Sequence, residues 1–600
     1  MKSGRDEKKL IVGVDYGTTH SGVSYVWSTA LGIESVHLID EWGTSERTVG
    51  RAGYYKQVPS RIAYEPELSW GYDIEPGVKT YSWTKLLLDR FATHSEYDDS
   101  SLKSIHGPGL LLTPPGKTPE EVVTDFLGQL YSYVMMRLKD KLGPVVDLTP
   151  IEFWFTLPAL WSLRAEDSTR KAAIDAGFES RNGDSIRMVR EPEAGAIACL
   201  NELIKDGECS LVKVGNGVLV CDCGGGTVDL ASYKVLVAYP RPSLEQACVS
   251  EGGKCGSTTI DRALHRLMEE RFGSSFSSLS YHKTGAGSKF MSQFESFKRD
   301  FGMSKRARQY LIDLNLGCAD SQWYRSDENE VVITTQDMMD LFDPVVEKII
   351  ALLEQQIQAT RSESKLEIKT ICLVGGFGES MYLLNRLRDW CPDGIELVNP
   401  NKSWEAICIG AALRGLEGPV VLRKKSKRHI GLATSIPFDI NTHNPFDAYE
   451  DQKDGIKRVM VMDWMINRGE SITPDSVIAH THHWTIGEKE SKTKSQTLYE
   501  STLAVAPRTL AHYSVREIGK LYIDLSKVDL QDFMRRETGS LFWKKTTYKV
   551  EFSLEMMPEN DLGYIYFRVT CSGKMLGEAR LQFSEEDEDE GTRLENLVIS

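Results

Sequence analysis

Two segments of this chain put an aspartate, glycines and threonines where one strand turns back into another. Val14-Asp-Tyr-Gly-Thr-Thr-His-Ser-Gly-Val-Ser24 and Val220-Cys-Asp-Cys-Gly-Gly-Gly-Thr-Val-Asp-Leu230 share one plan: an apolar strand, Asp-x-Gly, a turn of small residues, and a second strand. Glycine and threonine let main-chain N–H groups turn inward and approach phosphate oxygens closely. Gly17, Thr18 and Thr19 would do this on one side, and Gly224, Gly225, Gly226 and Thr227 on the other. Asp15 and Asp222, at strand ends, are expected to hold a hydrated Mg²⁺ that neutralises β- and γ-phosphates. Asp229, just beyond the second turn, is expected to help orient metal-bound water. The alternative is a pair of hairpins whose glycines serve tight turns alone.

A third element follows in order. Ile371-Cys-Leu-Val-Gly-Gly-Phe-Gly-Glu379 reads as a buried strand ending in Gly375-Gly376, then Phe377, where a flat base or ribose could lie against bare backbone. Two segments rich in small residues, Glu191-Pro192-Glu-Ala-Gly-Ala-Ile-Ala-Cys199 and Trp404-Glu-Ala-Ile-Cys-Ile-Gly-Ala-Ala-Leu413, read as helices that cross closely and slide as a cleft closes. Pro192 suits a helix start, where its missing N–H is harmless. A tight static crossing is the other reading.

Elements at regular intervals must position these groups. Short apolar strands are predicted at 10–14, 153–157, 218–221 and 370–374, with amphipathic helices over 165–176, stopped at Gly177, and over 335–360. This α/β alternation runs to about residue 416, and the single recurrence of the Asp-x-Gly plan suggests duplicated lobes. From His429 to Phe583 the texture changes to period-two alternation punctuated by turn signals such as Asn467-Arg-Gly469 and 559–563, which indicates a separate β-domain. The expected division is 1–417 (lobes 10–205 and 206–417), a solvated basic linker 418–429, a β-rich domain 430–583 and a disordered acidic tail 584–600.

A chain of 600 residues exceeds one hydrophobic core, in keeping with that division. The net charge of −15 disfavours nucleic acid as a partner, and the one dense basic run, Arg423 to Arg428, lacks interleaved aromatics. Eleven scattered cysteines, without paired CxxC units, fit a reduced compartment. With no apolar signal core and no long apolar span, the expectation is a soluble, monomeric, cytoplasmic protein (nuclear location being compatible) that binds no membrane.

The ordered set of motifs resembles the actin-like ATPase superfamily, whose fold is a two-lobed, duplicated ribonuclease H-like α/β domain. Within it, residues 10 to about 580 look most like the 70-kDa heat-shock proteins, in which a smaller β-sandwich-like domain follows. The resemblance implies ATP/ADP and Mg²⁺ as cofactors, with Asp15, Thr18 and Thr19 in the first phosphate loop and Gly224–Thr227 in the second. It implies that Lys85, in Thr84-Lys85-Leu-Leu-Leu-Asp-Arg90, is the catalytic lysine at the γ-phosphate. It places Glu191 and Asp222, with Thr227 and Asp229 beside them, around Mg²⁺ and water, has Glu295, Lys298 and Arg299 sandwich the adenosine, and makes Pro158 a switch between nucleotide and client sites. Without the resemblance, Lys85 reads as a surface helix lysine and 294–299 as a solvated helix face.

Departures from the pattern are informative. An acidic residue expected just before Glu405-Ala406 is Trp404, and Phe377-Gly-Glu379 stands where Ser and Arg would hold the base, so the base contacts are expected to differ. The acidic-leucine interdomain linker is replaced by Val420-Val421-Leu422 and basic residues, and neither a helical lid nor a Glu-Glu-Val-Asp terminus follows. The Gly-Phe-Gly-Glu loop and this ending resemble the divergent twelfth subfamily. The implied function is an ATP-regulated, slowly hydrolysing chaperone that binds extended client polypeptides, with co-chaperones or an exchange factor as further partners. The alternative is a nucleotide-sensing interaction protein with little turnover; a metabolite kinase would need an acceptor pocket and carboxylate base, for which no candidate stands out.

Overall fold

The computed structural model describes residues 8–43, 56–75, 77–89, 95–99, 112–204, 211–239, 241–304, 306–450, 456–540, 543–558, 561, 565–571, 573–579 and 581–583. The acidic tail, Arg90 and most of the 559–563 turn lie outside these. Two compact units are resolved: residues 1–422 with 561–563, and the remainder.

In the first unit one connectivity occurs twice. Leu10–Tyr16 pairs antiparallel with His20–Trp27, matching Asp15 to Gly22, and parallel with Ile151–Leu157, which in turn lies parallel to Ser185–Arg190. Gly217–Cys223 likewise pairs antiparallel with Val228–Val237, matching Asp222 to Asp229, and parallel with Ile368–Val374. The residues on either side of each strand explain its unbroken apolar run. Leu219 and Cys221 enter one core cluster while Val218 and Val220 enter another, so both faces are covered. The cysteines behave as small apolar residues here: Cys221, Cys223, Cys372 and Cys408 are fully buried and none of the described cysteines is in a disulfide.

The helices follow their sequence signals with modest shifts at the ends. One spans Leu163–Asp175, started by the Ser162 hydroxyl accepting from the Ala165 N–H, with Gly177 beyond it at φ 106°. Another runs Thr335–Ser364 from a reciprocal Thr334–Asp337 cap and carries Pro344 inside it. The two small-residue helices are Glu191–Leu203 and Ala406–Glu417, and Trp404 precedes the second. They cross at backbone contact: a Cβ on Gly410 would lie 1.8 Å from the Ala194 carbonyl oxygen.

The basic run departs from its expected form. Instead of a solvated linker it includes the strand Val421–Lys425; Val421 is buried, the Val420 carbonyl accepts from the Leu244 N–H, and Arg428, also buried, pairs with Glu500. Its charges obscure the strand in sequence because only Val420 and Val421 keep the apolar signal.

The second unit holds two sheets. Ala448–Glu450, Lys457–Ile466, His429–Pro437, Thr493–Ser501, Arg516–Asp524 and Leu581–Phe583 form one in that order. Ile478–Gly487, Trp543–Met557, Tyr566–Cys571 and Lys574–Ala579 form the other, with Met534–Ser540 also on the long strand. Alternation sets the buried face: Tyr548, Val550, Phe552, Leu554 and Met556 point inward while Lys549 and Glu551 are exposed. Among the described residues no helix is long and apolar enough to cross a membrane.

The crossing at Gly410 leads to a paired expectation. Gly410→Ala should destabilise the chain by about 2 kcal/mol or more, because a methyl group would collide with main chain. Gly128→Ala, inside the helix Pro119–Leu142 with nothing nearer than 4.0 Å, should be neutral or stabilise by about 0.5–1 kcal/mol. Urea unfolding followed by circular dichroism checks both.

Candidate functional site

The two Asp-x-Gly hairpins bring their turns face to face. A Cβ on Gly225 would meet the Thr19 hydroxyl at 2.5 Å, and one on Gly226 would meet the Thr18 hydroxyl at 2.4 Å. Only bare backbone permits that approach. The carbonyls of Gly224, Gly225 and Gly226 accept from the N–H groups of Ser257, Thr258 and Gly256, at the start of the helix Thr258–Phe272, at 3.1, 2.8 and 3.1 Å. Within a planar trans peptide the N–H points opposite to the C=O. The N–H groups of Gly225, Gly226 and Thr227 therefore point away from that helix, on the cleft side, as an anion cradle requires.

Carboxylates gather beside this cradle. Asp15, at the end of its strand, accepts from the Thr156 hydroxyl at 2.9 Å. Glu191 is the first residue of its helix, and its carboxylate takes the Lys85 ammonium at 2.6 Å; both side chains are buried. Lys85 comes from the short helix Thr84–Leu87 and lies 5.4 Å from the centre of the Trp161 ring. Burial raises the Asp15 pKa despite the opposing effects of Lys85 and Thr156. It lifts Glu191 to about 7, against Lys85 and with help from Asp229 and Asp15. Asp222 is pushed well above the ordinary carboxylate range by burial and by Glu191, Asp229 and Asp15. Burial and the neighbouring carboxylates thus disfavour the ionised forms, which a cation placed among them would restore.

Such a donor set fits a hard divalent cation. Among the described residues no three His, Cys, Asp or Glu side chains stand close enough to ligate an ion directly. Mg²⁺ retains several waters and shares phosphate oxygens, so carboxylates reaching it through water suit it.

The other end of the cleft is built from the helix Lys289–Asp300 and the loop after Ile368–Val374. Lys298 is buried between Asp261, at 2.8 and 3.0 Å, and Glu295, at 2.6 Å. Burial would lower its pKa, but the two carboxylates outweigh that and raise it. Arg299 pairs with Glu295 at 2.9 Å and lies over the Trp404 ring, 4.9 Å from its centre. Gly375 has φ 86°, and a Cβ there would strike the Asp222 carboxylate at 2.3 Å. Phe377 lines the cleft but is mostly buried, 6.3 Å from Phe342.

A single cavity of about 240 Å³ is lined by Asp15, Gly17, Thr18, Thr19, Lys85, Glu191, Asp222, Gly224, Gly225, Gly226, Thr227, Glu295, Lys298, Arg299, Gly375, Gly376 and Phe377. Of the residues singled out from sequence only Asp229 stands behind it. Its carboxylate accepts from the Ala159 N–H at 2.7 Å, so it braces the segment next to Pro158 instead of facing the cavity. Directly opposite residues of an antiparallel pair share a face, so the register puts Asp229 beside Asp222, and the hydrogen bond from Ala159 turns its carboxylate away. Glu379 and Trp404, expected from sequence to alter the base contacts, line the cavity too, and so do His20, Gln57, Ser257, Met303, Ser380 and Ile407, which the sequence did not single out. His20 follows Thr18-Thr19 directly, so adjacency was a usable signal for it. Gln57, Ser257 and Met303 carry none.

Comparison with known proteins agrees with this arrangement. A family model described as Hsp70 protein matches residues 117–441, more than half of the chain. The human heat shock 70 kDa protein 12B is 25% identical over 519 aligned residues, covering 73% of each chain. Human heat shock 70 kDa protein 12A is 23% identical over 515, covering 73% of this chain and 74% of the relative. A chaperone protein HscA homolog of Acinetobacter baylyi is 23% identical over 431, covering 69% of this chain and 58% of that protein. The chain belongs to the Hsp70 protein family, as a divergent member resembling its twelfth subfamily.

Proposed function

We propose that this chain is an ATP-binding, slowly hydrolysing chaperone. On this reading a two-lobed actin-like domain (residues 1–417) senses nucleotide, and a smaller β-sandwich-like domain (430–583) takes extended client polypeptides. Family membership supports a nucleotide-binding, chaperone-like function at the coarser level. The observation that carries the finer reading is the meeting of two glycine turns, with Lys85, Glu191, Asp15 and Asp222 on the same cavity.

Each residue has a task that its surroundings suit. The Gly225–Thr227 amides and the Thr18 and Thr19 hydroxyls grip phosphate oxygens. Lys85 offsets charge on the transferred phosphoryl group, and positioning does most of the rest. Glu191, with its pKa near 7, takes a proton from the attacking water at neutral pH. Asp15 and Asp222 would hold Mg²⁺, and the ion, when bound, would neutralise phosphate charge. Exposed Ile440, Phe446, Val505 and Tyr513 give the second unit apolar surface for clients.

One observation favours a second reading. Glu191 already holds the Lys85 ammonium at 2.6 Å, and a lysine kept there on nucleotide binding would leave a sensor with little turnover. Single-turnover hydrolysis decides between them: a rate no higher than that of Lys85→Ala selects the sensor. For the ATPase, Lys85→Ala should bind MgADP within about threefold of wild type and lose hydrolysis by about 100-fold or more.

Magnesium and pH supply two further checks by calorimetry. Chelating Mg²⁺, or substituting Asp222→Asn, should weaken ADP binding by about tenfold or more. The raised Glu191 pKa sets the sign of its pH effect. Magnesium nucleotide favours the ionised carboxyl, so the contribution of Glu191 is constant above its folded pKa of about 7. Below it each binding event displaces a proton, and affinity should fall by up to about tenfold per pH unit. Glu191→Gln should flatten that slope.

A further inference from the structure

Trp404 lines the same cavity, and aromatic and cationic contacts converge on it. Its backbone is fixed from two directions: the Gln57 amide donates to its carbonyl at 3.0 Å, and the Gly375 N–H donates to the preceding Ser403 carbonyl at 2.9 Å. The indole edge lies against bare main chain, since a Cβ on Gly376 would come within 3.0 Å of its Nε1. The His20 ring meets the indole edge-on at 5.4 Å, and the Arg299 guanidinium covers it at 4.9 Å.

The two members of the Arg299–Trp404 contact differ in freedom. Trp404 is half-buried on an anchored backbone, whereas the Arg299 side chain is 49% exposed and tethered by one carboxylate, Glu295. An exposed cation–π contact is weak and readily exchanged. A flat heterocycle needs about 3.5 Å on each face, so Arg299 must lift from the indole to admit one. A rigid aromatic floor with a movable cationic cap is an arrangement suited to a planar ligand.

We propose that Trp404 is the stacking platform of the base subsite: the nucleobase lies on its indole face, beneath Arg299, and is held by its π surface. This rests on the nucleotide reading above and deepens it. The phosphates are gripped at the other end of the same cavity, so Trp404 contributes to binding of the base and leaves phosphate binding unaffected.

The test uses the full chain with MgADP and, as a ligand lacking the base, magnesium tripolyphosphate. Calorimetry should show Trp404→Ala weakening ADP by about 10- to 100-fold, the range for losing one base–aromatic stack, and Trp404→Phe by about threefold or less. Tripolyphosphate should bind all three proteins within about twofold. The fluorescence difference between wild type and Trp404→Phe should be quenched by ADP and unmoved by tripolyphosphate, an arm that decides the matter even where Trp404→Ala fails to fold. Unchanged ADP affinity in Trp404→Ala, equal losses for both ligands, or an indole emission indifferent to ADP overturns the proposal and leaves the nucleotide reading standing. Absence of ADP binding to the wild-type protein overturns both.

Discussion

Carboxylates are packed into one poorly hydrated cleft with Lys85 as the ammonium held directly by one of them, and much of the architecture follows from that constraint. Burial is the largest cause of the raised pKa of Asp15, Glu191 and Asp222; Asp15 and Asp229 raise Glu191 further, and both of these with Glu191 raise Asp222. A fold optimised for stability alone would not gather these charges, because each costs free energy that hydrogen bonds offset only in part. Thr156 and the Ala159 amide supply two such bonds. What remains is a standing demand for positive charge, and a ligand that brings a cation together with phosphates meets it. Ligand binding and stability are therefore linked: whatever satisfies the carboxylates also stabilises the folded chain.

The second constraint is close approach of main chain. The facing turns need glycine at 225 and 226 because threonine hydroxyls occupy the space a side chain would fill. The helix crossing needs glycine at 410 for the same reason, against the Ala194 carbonyl. Both belong to one device. The helix that carries Glu191 at its first turn also carries Ala194, so the carboxylate nearest Lys85 and the tightest helix contact lie within one turn of each other on one rigid element.

How legible this was in the sequence depends on the kind of signal. The hairpins, the Gly375-Gly376 strand and the crossing helices could be read because each imposes a local composition: strands buried on both faces stay apolar, and backbone contact demands glycine. Strand ends came out one or two residues short, as at Ile151 and Ile368, since the flanking Pro150 and Glu367 mark no clear edge. Lys85 was not legible from spacing at all, because a lone lysine in a short helix has no pattern, and only family resemblance singled it out. Asp229 was read toward the cavity, yet its carboxylate turns to the Ala159 amide, a partner 70 residues away that local sequence does not reveal. The strand Val421–Lys425 was hidden by its own charges, which find partners such as Glu500 only in the folded chain.

The junction between Arg190 and Glu191 shows how these constraints combine. Glu191 faces the cavity and holds Lys85, while the preceding Arg190 turns the other way, to Glu166 at 2.8 Å and toward the Pro158 carbonyl at 3.5 Å. The Ala159 N–H, the other half of that same peptide group, is held by Asp229, whose strand neighbour is Asp222. Pro158 and Ala159 are therefore gripped from both hairpin-bearing halves of the sheet pattern, through one arginine and one aspartate that each adjoin a cavity carboxylate. Displacing Lys85 from Glu191 alters the charge at the start of the helix that Arg190 caps, and neutralising Asp222 relieves its repulsion with Asp229. Both changes reach the same two residues by short paths of hydrogen bonds and ion pairs. Pro158 itself, with φ fixed and no N–H to donate, leaves its carbonyl and the Ala159 amide as the hydrogen-bonding groups of that segment which these two side chains hold.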